Sequence, residues 1–239
     1  MICPVCGGES RHHVDIPMQK SCEGNGGGDL VAYFICVSCG FCHAPEMCNK
    51  PPEWFRGHIY NDDYILFDPE YNGERASRQA RNLIYSYSFA RKRIRHLDFG
   101  SGDGRLTEKL LKAGFDSTAY DPFVHTELPS GKFNLITSFE VFEHVPGPQE
   151  LMRGVASFLD DEGLILASTN ISDGEDIGRW WYAAPRNGHI SLFSRKSLTI
   201  LAEKHGLESL IDANGAHYFY RSFLIGRSVK RDWRTLQNQ

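Results

Sequence analysis

The chain has 239 residues, enough for one full α/β domain plus a small module. Hydrophobic residues make up 41% and charged ones 23%, an ordinary globular balance, and a formal net charge of −4 gives no general case for a polyanionic partner. No uninterrupted apolar stretch approaches the roughly 18–20 residues that a membrane-spanning helix requires, which excludes that class of partner.

The N-terminus, Met1-Ile2-Cys3-Pro4-Val5-Cys6, lacks the basic and then apolar regions of a secretory signal, so the expected compartment is the cytoplasm. Six of the seven cysteines fall in the first 42 residues, a clustering that favours metal ligation over a disulfide framework. Cys3-Pro-Val-Cys6-Gly7 and Cys36-Val-Ser-Cys39-Gly40 are two copies of one knuckle. Two residues between cysteines, followed by glycine, turn the backbone so that both thiolates face one ion. Two such pairs complete the tetrahedral sulfur site that structural Zn²⁺ prefers, so Cys3, Cys6, Cys36 and Cys39 are the expected ligands. A fully ligated ion has no open position, and its expected role is to hold the fold. The competing reading is four reduced thiols in a small apolar cluster. Cys42 and His43 are close enough in sequence to replace a second-knuckle ligand, whereas Cys22 and Cys48 lack paired spacing and are expected bystanders. The 29 residues between the knuckles contain the loose run Gly24-Asn25-Gly26-Gly27-Gly28 and are poor in basic and aromatic residues, which argues against nucleic-acid reading.

Residues 1–57 therefore form a zinc-ribbon-like unit and 58–92 a connector ending in a helix. In that helix Ala76, Ala80, Leu83, Ile84 and Tyr87 make one apolar stripe. The basic run Arg91-Lys92-Arg93 is a solvated helix end. From 93 to 239 strand-like and helix-like segments alternate, as a mostly parallel α/β sheet demands. The expected strands are Ile94–Phe99, Asp116–Tyr120, Phe133–Phe139, Gly163–Ser168 and a late Tyr218–Ile225. Gly114 is placed to end the first helix, Pro148 to start the second and Ser194 to cap a third running to Lys204.

Leu97-Asp98-Phe99-Gly100-Ser101-Gly102-Asp103-Gly104-Arg105 follows the first of these strands and opens a helix. Alternate glycines let the backbone bend tightly and approach a nucleotide-like ligand. Asp121 ends the next strand, where a carboxylate can accept both hydrogen bonds from a ribose diol. A dinucleotide fingerprint starting at Gly100 requires glycine where Arg105 stands, and Asp103 places negative charge where a pyrophosphate would lie. That disfavours a nicotinamide dehydrogenase. The loop resembles the first motif of the class I S-adenosylmethionine-dependent methyltransferases, a likeness covering most of residues 93–226. It implies a Rossmann-like sheet, S-adenosylmethionine as methyl donor, Gly100, Gly102 and Gly104 around its methionine part, and Asp121 on its ribose. Asp98, Phe99, Ser101 and Glu140 complete the implied cofactor set. One departure stands out: 11 residues separate Asp121 from Phe133, too few for the helix, strand and helix usual there, so the third strand is missing or abbreviated.

After the strand Phe133–Phe139 comes Glu140-Val-Phe-Glu143-His144-Val145-Pro146. This segment resembles the Glu-x-x-Glu-His stretch of the ubiquinone-pathway O-methyltransferases and the small-RNA terminal 2′-O-methyltransferases. The resemblance implies a divalent-metal site at Glu140, Glu143 and His144, completed by a distant histidine, for which His189 is the candidate. The metal-free alternative makes His144 or His189 the general base with Glu143 orienting it, and is the preferred reading here. Helix-cap packing is the bland one. Arg179-Trp180-Trp181-Tyr182-Ala183-Ala184-Pro185-Arg186 is either part of a substrate lid or an aromatic plug, and Tyr60, Tyr64 and Tyr71 are placed to close the pocket from the other side. Cysteine knuckles, a Tyr-rich connector and this core together resemble bacterial methyltransferases with an N-terminal zinc-binding region. The expected function is methyl transfer to a hydroxyl of a small-molecule or glycan-linked substrate. The rivals are C- or N-methylation of a sugar and a non-catalytic zinc-ribbon binding protein on a methyltransferase-like core.

Overall fold

The computed structural model of the chain describes residues 1–221, apart from the side chains of Tyr71 and Asn72. Strands β1 (Ser10–Pro17), β2 (Leu30–Cys36) and β3 (Cys42–His43) come first, followed by the short helices α1 (Pro45–Cys48) and α2 (Pro52–His58). β1 and β2 form an antiparallel pair whose inward residues include Ile16, Val31, Tyr33 and Cys36. The glycine-rich run lies in the loop joining them. The far edge of β3 is taken by a two-residue strand from much later in the chain, Ser191–Leu192, which is β8 in chain order. The sheet of the N-terminal unit is thus closed by residues outside 1–57.

Two 3₁₀ turns, Asp62–Leu66 and Pro69–Asn72, lead through Gly73 into helix α3 (Glu74–Tyr87). The expected stripe is its inner face: Ala80 and Leu83 are buried, with Ala76, Ile84 and Tyr87 packed beside them. Tyr71, expected at the pocket, carries a side chain outside the described residues. There follow β4 (Arg95–Phe99), α4 (Arg105–Lys112), β5 (Asp116–Tyr120), β6 (Phe133–Phe139), α5 (Pro148–Phe158), β7 (Leu159–Ser168), α6 (Arg195–Lys204), β9 (Glu208–Ile211) and β10 (Ala216–Tyr220). Each helix start follows its local chemistry. Pro148 occupies the first turn of α5, and Ser194 caps α6 by exchanging hydrogen bonds with Ser197. Gly114, at φ +85°, ends the turn after α4.

The main sheet has the order β5-β4-β6-β7-β10-β9. β5, β4, β6 and β7 are mutually parallel, and β10 runs antiparallel to both β7 and β9. This is a Rossmann-like sheet with one late reversed strand. Residues 121–132 contain no strand or helix, which leaves β5 at the sheet edge: the third strand is absent. β7 begins at Leu159 rather than Gly163, because a register shift opposite Phe133–Leu135 loops out the exposed Asp160, Asp161 and Glu162. β9 is an addition to the expected strands, and the late strand covers 216–220; residues 222–225 of its expected span lie outside the described ones.

One apolar core fuses both parts. Cys3, Val5, Cys36, Cys39 and Phe41 pack with Phe142, Phe193, Leu198 and Phe219 of the sheet domain. A second core joins Ile16, Tyr33 and Ile59 to Trp180, Tyr182, Ile190 and Leu192. Among the described residues no helix is long and apolar enough to cross a membrane.

Candidate active site

The four knuckle cysteines meet. Their Sγ atoms lie within 4.8 Å of one another, with 3.7 Å between Cys3 and Cys39 and 3.4 Å between Cys6 and Cys36. A tetrahedron of thiolates around a zinc ion has edges of about 3.8 Å, twice a 2.3 Å bond projected at the tetrahedral angle. The sulfurs therefore stand at the spacing such an ion needs. Gly7 and Gly40 adopt left-handed φ of +80° and +74° at the knuckle turns, and the Gly8 amide donates to Cys6 Sγ at 3.3 Å. Cys42 and His43 lie on β3 and take no part in this cluster.

The glycine loop connects β4 to α4. Gly100, Gly102 and Gly104 all have positive φ, of +81°, +53° and +79°. At Gly100 a Cβ would sit 2.4 Å from Val141 Cγ2, so the loop must be bare there for Val141 to pack; at Gly102 a Cβ would meet open space. Asp121, half-buried at the tip of β5, faces this loop. Its Oδ2 accepts from the Gly102 amide at 3.1 Å and its Oδ1 from the Phe123 amide at 2.8 Å. Each carboxylate oxygen keeps further acceptor capacity. Two buried polar atoms beside the loop, Ser101 Oγ and His125 Nε2, have no hydrogen-bond partner among the described residues. Such orphans are what a polar ligand would satisfy. The His125 ring lies over Gly104, 2.8 Å from where a Cβ would be. It comes from the stretch that replaces the missing strand, and no motif signalled it. The loop's acidic charge is partly answered, since Asp103 pairs with Arg105 at 2.7 Å.

Two of the expected cofactor residues point elsewhere. The Phe99 ring packs at a tilt against Tyr120 and Phe158, at 5.1 and 6.4 Å between centroids, so it lies against the core. Asp98 is buried and accepts from Thr137 Oγ1 at 2.8 Å, and burial pushes its carboxyl up to about 7. Behind it His96 donates from Nε2 to Thr137 (2.9 Å) and accepts from Ser117 at Nδ1 (2.7 Å), a chain that ties β5, β4 and β6 together. Asp98 supports the loop from below.

At the end of β6 the backbone turns sharply: Glu140 adopts φ +53°, the one non-glycine residue with positive φ among those described. Its Oε1 accepts from Ser168 at 2.7 Å and its Oε2 from the Tyr182 hydroxyl at 3.5 Å. Burial and the neighbouring Glu143 push the Glu140 carboxyl up to about 7. The turn delivers Glu143 and His144 to one place, where they meet His189. One ligand atom from each lies within 4.8 Å of the others, and His144 Nε2 is 3.7 Å from Glu143 Oε1. Glu143 is fully buried, and neither of its oxygens receives a hydrogen bond of good geometry from the described residues. Burial raises its pKa, with the Tyr182 and Thr169 hydroxyls nearby acting in the opposite direction.

Both imidazoles are fixed as neutral tautomers. His189 donates from Nδ1 to the Tyr182 carbonyl at 2.7 Å, and His144 donates from Nδ1 to the Gly188 carbonyl at 3.2 Å, with the Tyr60 hydroxyl also 3.1 Å away. That leaves Nε2 of each as a lone pair. Burial pulls His144 down to about 4 and His189 well below its ordinary value. A buried carboxylate lacking donors beside two unprotonated imidazole nitrogens is a donor set that fits a divalent cation, and the carbonyls behind the rings are the usual outer supports of such a site.

The flanking segments divide. Trp180, Tyr182 and Arg186 are buried, and only Arg179 and Trp181 face outward. Arg186 lies over the Phe67 ring at 3.9 Å and donates to Ile59 O and Asn61 Oδ1, so most of the expected lid is a plug. Tyr60 reaches the site through His144, whereas Tyr64 is core. Sequence reasoning missed two neighbours. Cys22, expected as a bystander, places Sγ 4.0 Å from His189 Nδ1. Arg75, held bidentate by Asp68 at 3.0 and 2.7 Å, stands close enough for its charge to act on Glu140, His144 and His189. Neither has a motif; only the fold brings them in.

Residues 63–211, more than half of the chain, match the family model described as a methyltransferase domain. The chain is 27% identical over 157 residues to the ubiquinone biosynthesis O-methyltransferase of Colwellia psychrerythraea, covering 51% of this chain and 63% of that one. It is also 27% identical over 146 residues to the mitochondrial ubiquinone biosynthesis O-methyltransferase of Saccharomyces cerevisiae, covering 50% and 46%. The matched segments thus span less than two thirds of either relative. Among solved structures, DesVI of Streptomyces venezuelae superposes with a TM-score of 0.49 at 14% identity, over 68% of this chain and 99% of that one.

Proposed function

We propose, because this chain belongs to the methyltransferase-domain family, that it transfers a methyl group from S-adenosylmethionine to a hydroxyl of a small-molecule or glycan-linked acceptor. When bound, the donor supplies an electrophilic methyl carbon on a sulfonium. In this reading the glycine loop lets the backbone approach its methionine part, and Asp121 accepts from its ribose hydroxyls. Ser101 and His125 offer the loop's unused polar atoms.

The observation that carries oxygen as the acceptor is the meeting of Glu143, His144 and His189 at the end of β6. An alcohol or phenol must lose its proton as the new carbon–oxygen bond forms. The unprotonated Nε2 of one imidazole receives that proton, while its Nδ1–H bond to a main-chain carbonyl keeps the tautomer correct. Burial keeps both rings in the basic form near neutral pH. The Glu143 carboxylate stabilises the imidazolium that results. Glu143, His144 and His189, with Glu140 beside them, are also the residues that would hold a divalent cation, whose contribution there is to lower the hydroxyl pKa and fix its position. Both matched relatives named above carry an O-methyltransferase name, which supports oxygen over nitrogen or carbon. The four cysteines hold a structural zinc ion in this reading.

The test is tritium-methyl transfer from labelled S-adenosylmethionine into an extract of the source cells, with identification of the labelled product. A methyl ether is expected. Label on nitrogen or carbon overturns the acceptor assignment, and no transferred label from a protein that binds the donor points to the non-catalytic alternative.

A further inference from the structure

His189 is held in place largely by residues of the cysteine module. In the loop between β1 and β2, Lys20 is 5% exposed, and its ammonium donates to the carbonyls of Trp180 at 2.5 Å and Ala183 at 2.8 Å. Between those two carbonyls lies that of Tyr182, the acceptor for His189 Nδ1. The same loop closes back on the segment through its own backbone: the Arg186 amide donates to Lys20 O at 3.0 Å, and the Cys22 amide to Asn187 Oδ1 at 2.9 Å. From β2, the fully buried Tyr33 donates its hydroxyl to the His189 carbonyl at 2.7 Å. One residue further, the Ala44 amide bonds Ile190 O at 3.0 Å, and β3 pairs with β8.

We propose that Lys20 and Tyr33 are positioning residues for His189, so that the cysteine module forms one wall of the reaction centre. The inference rests on His189 being a site residue as read above. Packing alone does not account for Lys20. Both acceptors of its ammonium are main-chain carbonyls, and a buried charge without a counter-ion is less stable than an apolar side chain of the same length. What the ammonium adds is direction: it orients the carbonyls of Trp180 and Ala183 and so fixes the two peptide groups between them, that of the Tyr182 carbonyl included. That peptide decides which nitrogen of His189 carries the proton. Tyr33 fixes the other end, the main chain of His189 itself. Neither residue touches the reacting atoms in this account.

The experiment uses the full chain labelled with ¹⁵N-histidine. In the unsubstituted protein the His189 ring is expected to show the Nδ1-protonated neutral tautomer alone. Lys20→Met and Tyr33→Phe are each expected to replace that pattern with a mixture of tautomers, and Lys20→Arg to restore it. Calorimetric titration with S-adenosylhomocysteine shows that each variant is folded, with affinity within about threefold of the parent because the glycine loop shares no partner with these residues. Unchanged His189 signals in folded Lys20→Met and Tyr33→Phe overturn the proposal. Tyr33→Phe removes a single oxygen and carries the test if Lys20→Met fails to fold. Failure of the functional reading is a separate outcome, seen as no binding of S-adenosylhomocysteine by the parent, and the tautomer comparison stands apart from it.

Discussion

Among the described residues two clusters of side chains could hold a metal ion, and they differ in how they are built. The four sulfurs come from two short knuckles, each bent by its own glycine, and they saturate a tetrahedron. Glu143, His144 and His189 come from a turn after one strand and a loop after the next, and as three ligands they would leave coordination positions open on any ion they held. A closed set stabilises; an open set can act on something that arrives. The difference also explains why the first cluster is local and the second depends on the whole fold. His189 reaches Glu143 only because β8 and the loop before it are pinned to the cysteine module.

Breaking the closed cluster has the largest expected effect. Cys39→Ser, or metal removal with a strong chelator, is expected to cost on the order of 10 kcal/mol of folding free energy, the scale of structural zinc sites. Because Cys3, Cys36 and Cys39 sit in the same apolar core as Phe193 and Leu198, the thermal transition of the sheet domain should fall with it. A melting curve unaltered after confirmed metal loss contradicts a structural role. The open cluster should respond otherwise. His189→Gln is expected to lower methyl transfer about 10²–10⁴-fold, the range for a general base, with S-adenosylhomocysteine affinity nearly unchanged. Equal loss of binding and turnover would place His189 in the fold rather than the chemistry.

His96 and His217 lie on strands, and burial pulls them from an ordinary 6.5 down to about 3 and about 4. The folded state keeps them neutral while the unfolded chain protonates them near 6.5, so their stabilisation is intact above that pH. It is lost as pH falls through the window below 6.5, at about 1.4 kcal/mol per pH unit for each ring. Asp98 and Glu140, pushed up to about 7, gain protons in the folded state over the same window and oppose that slope, so the rings are read one by one. NMR titration of the folded chain between pH 7.5 and 5.5 is expected to leave the His96 and His217 ring signals unprotonated; protonation of either ring in that range sinks the assignment of neutral buried rings.

Legibility follows the same division. The knuckles, the glycine bend, Asp121 and the shortened stretch after it were all readable, because each is fixed by residues within a few positions of one another. Glu143 and His144 were readable as a pair, and His189 only through resemblance. Lys20 and Tyr33 carried no signal at all, since their partners lie 160 and 156 residues away from them or more. Phe99 and Arg186 mark where resemblance and residue type stop: the first-motif likeness implied cofactor contact for Phe99 and the segment of Arg186 stood open between lid and plug, whereas packing puts one against Phe158 and the other over Phe67. β9 has no counterpart among the expected strands because its four residues, Glu-Ser-Leu-Ile, form a pattern too brief to distinguish from a loop.

That the glycine bend and Asp121 receive S-adenosylmethionine is open to calorimetric titration of the full chain and its Asp121→Ala variant. A measurable heat of binding is expected for the parent, and an affinity weaker by about 1–3 kcal/mol in the variant, the scale of hydrogen bonds to a charged group. No heat from the parent, or an unchanged affinity in a folded Asp121→Ala protein, contradicts it.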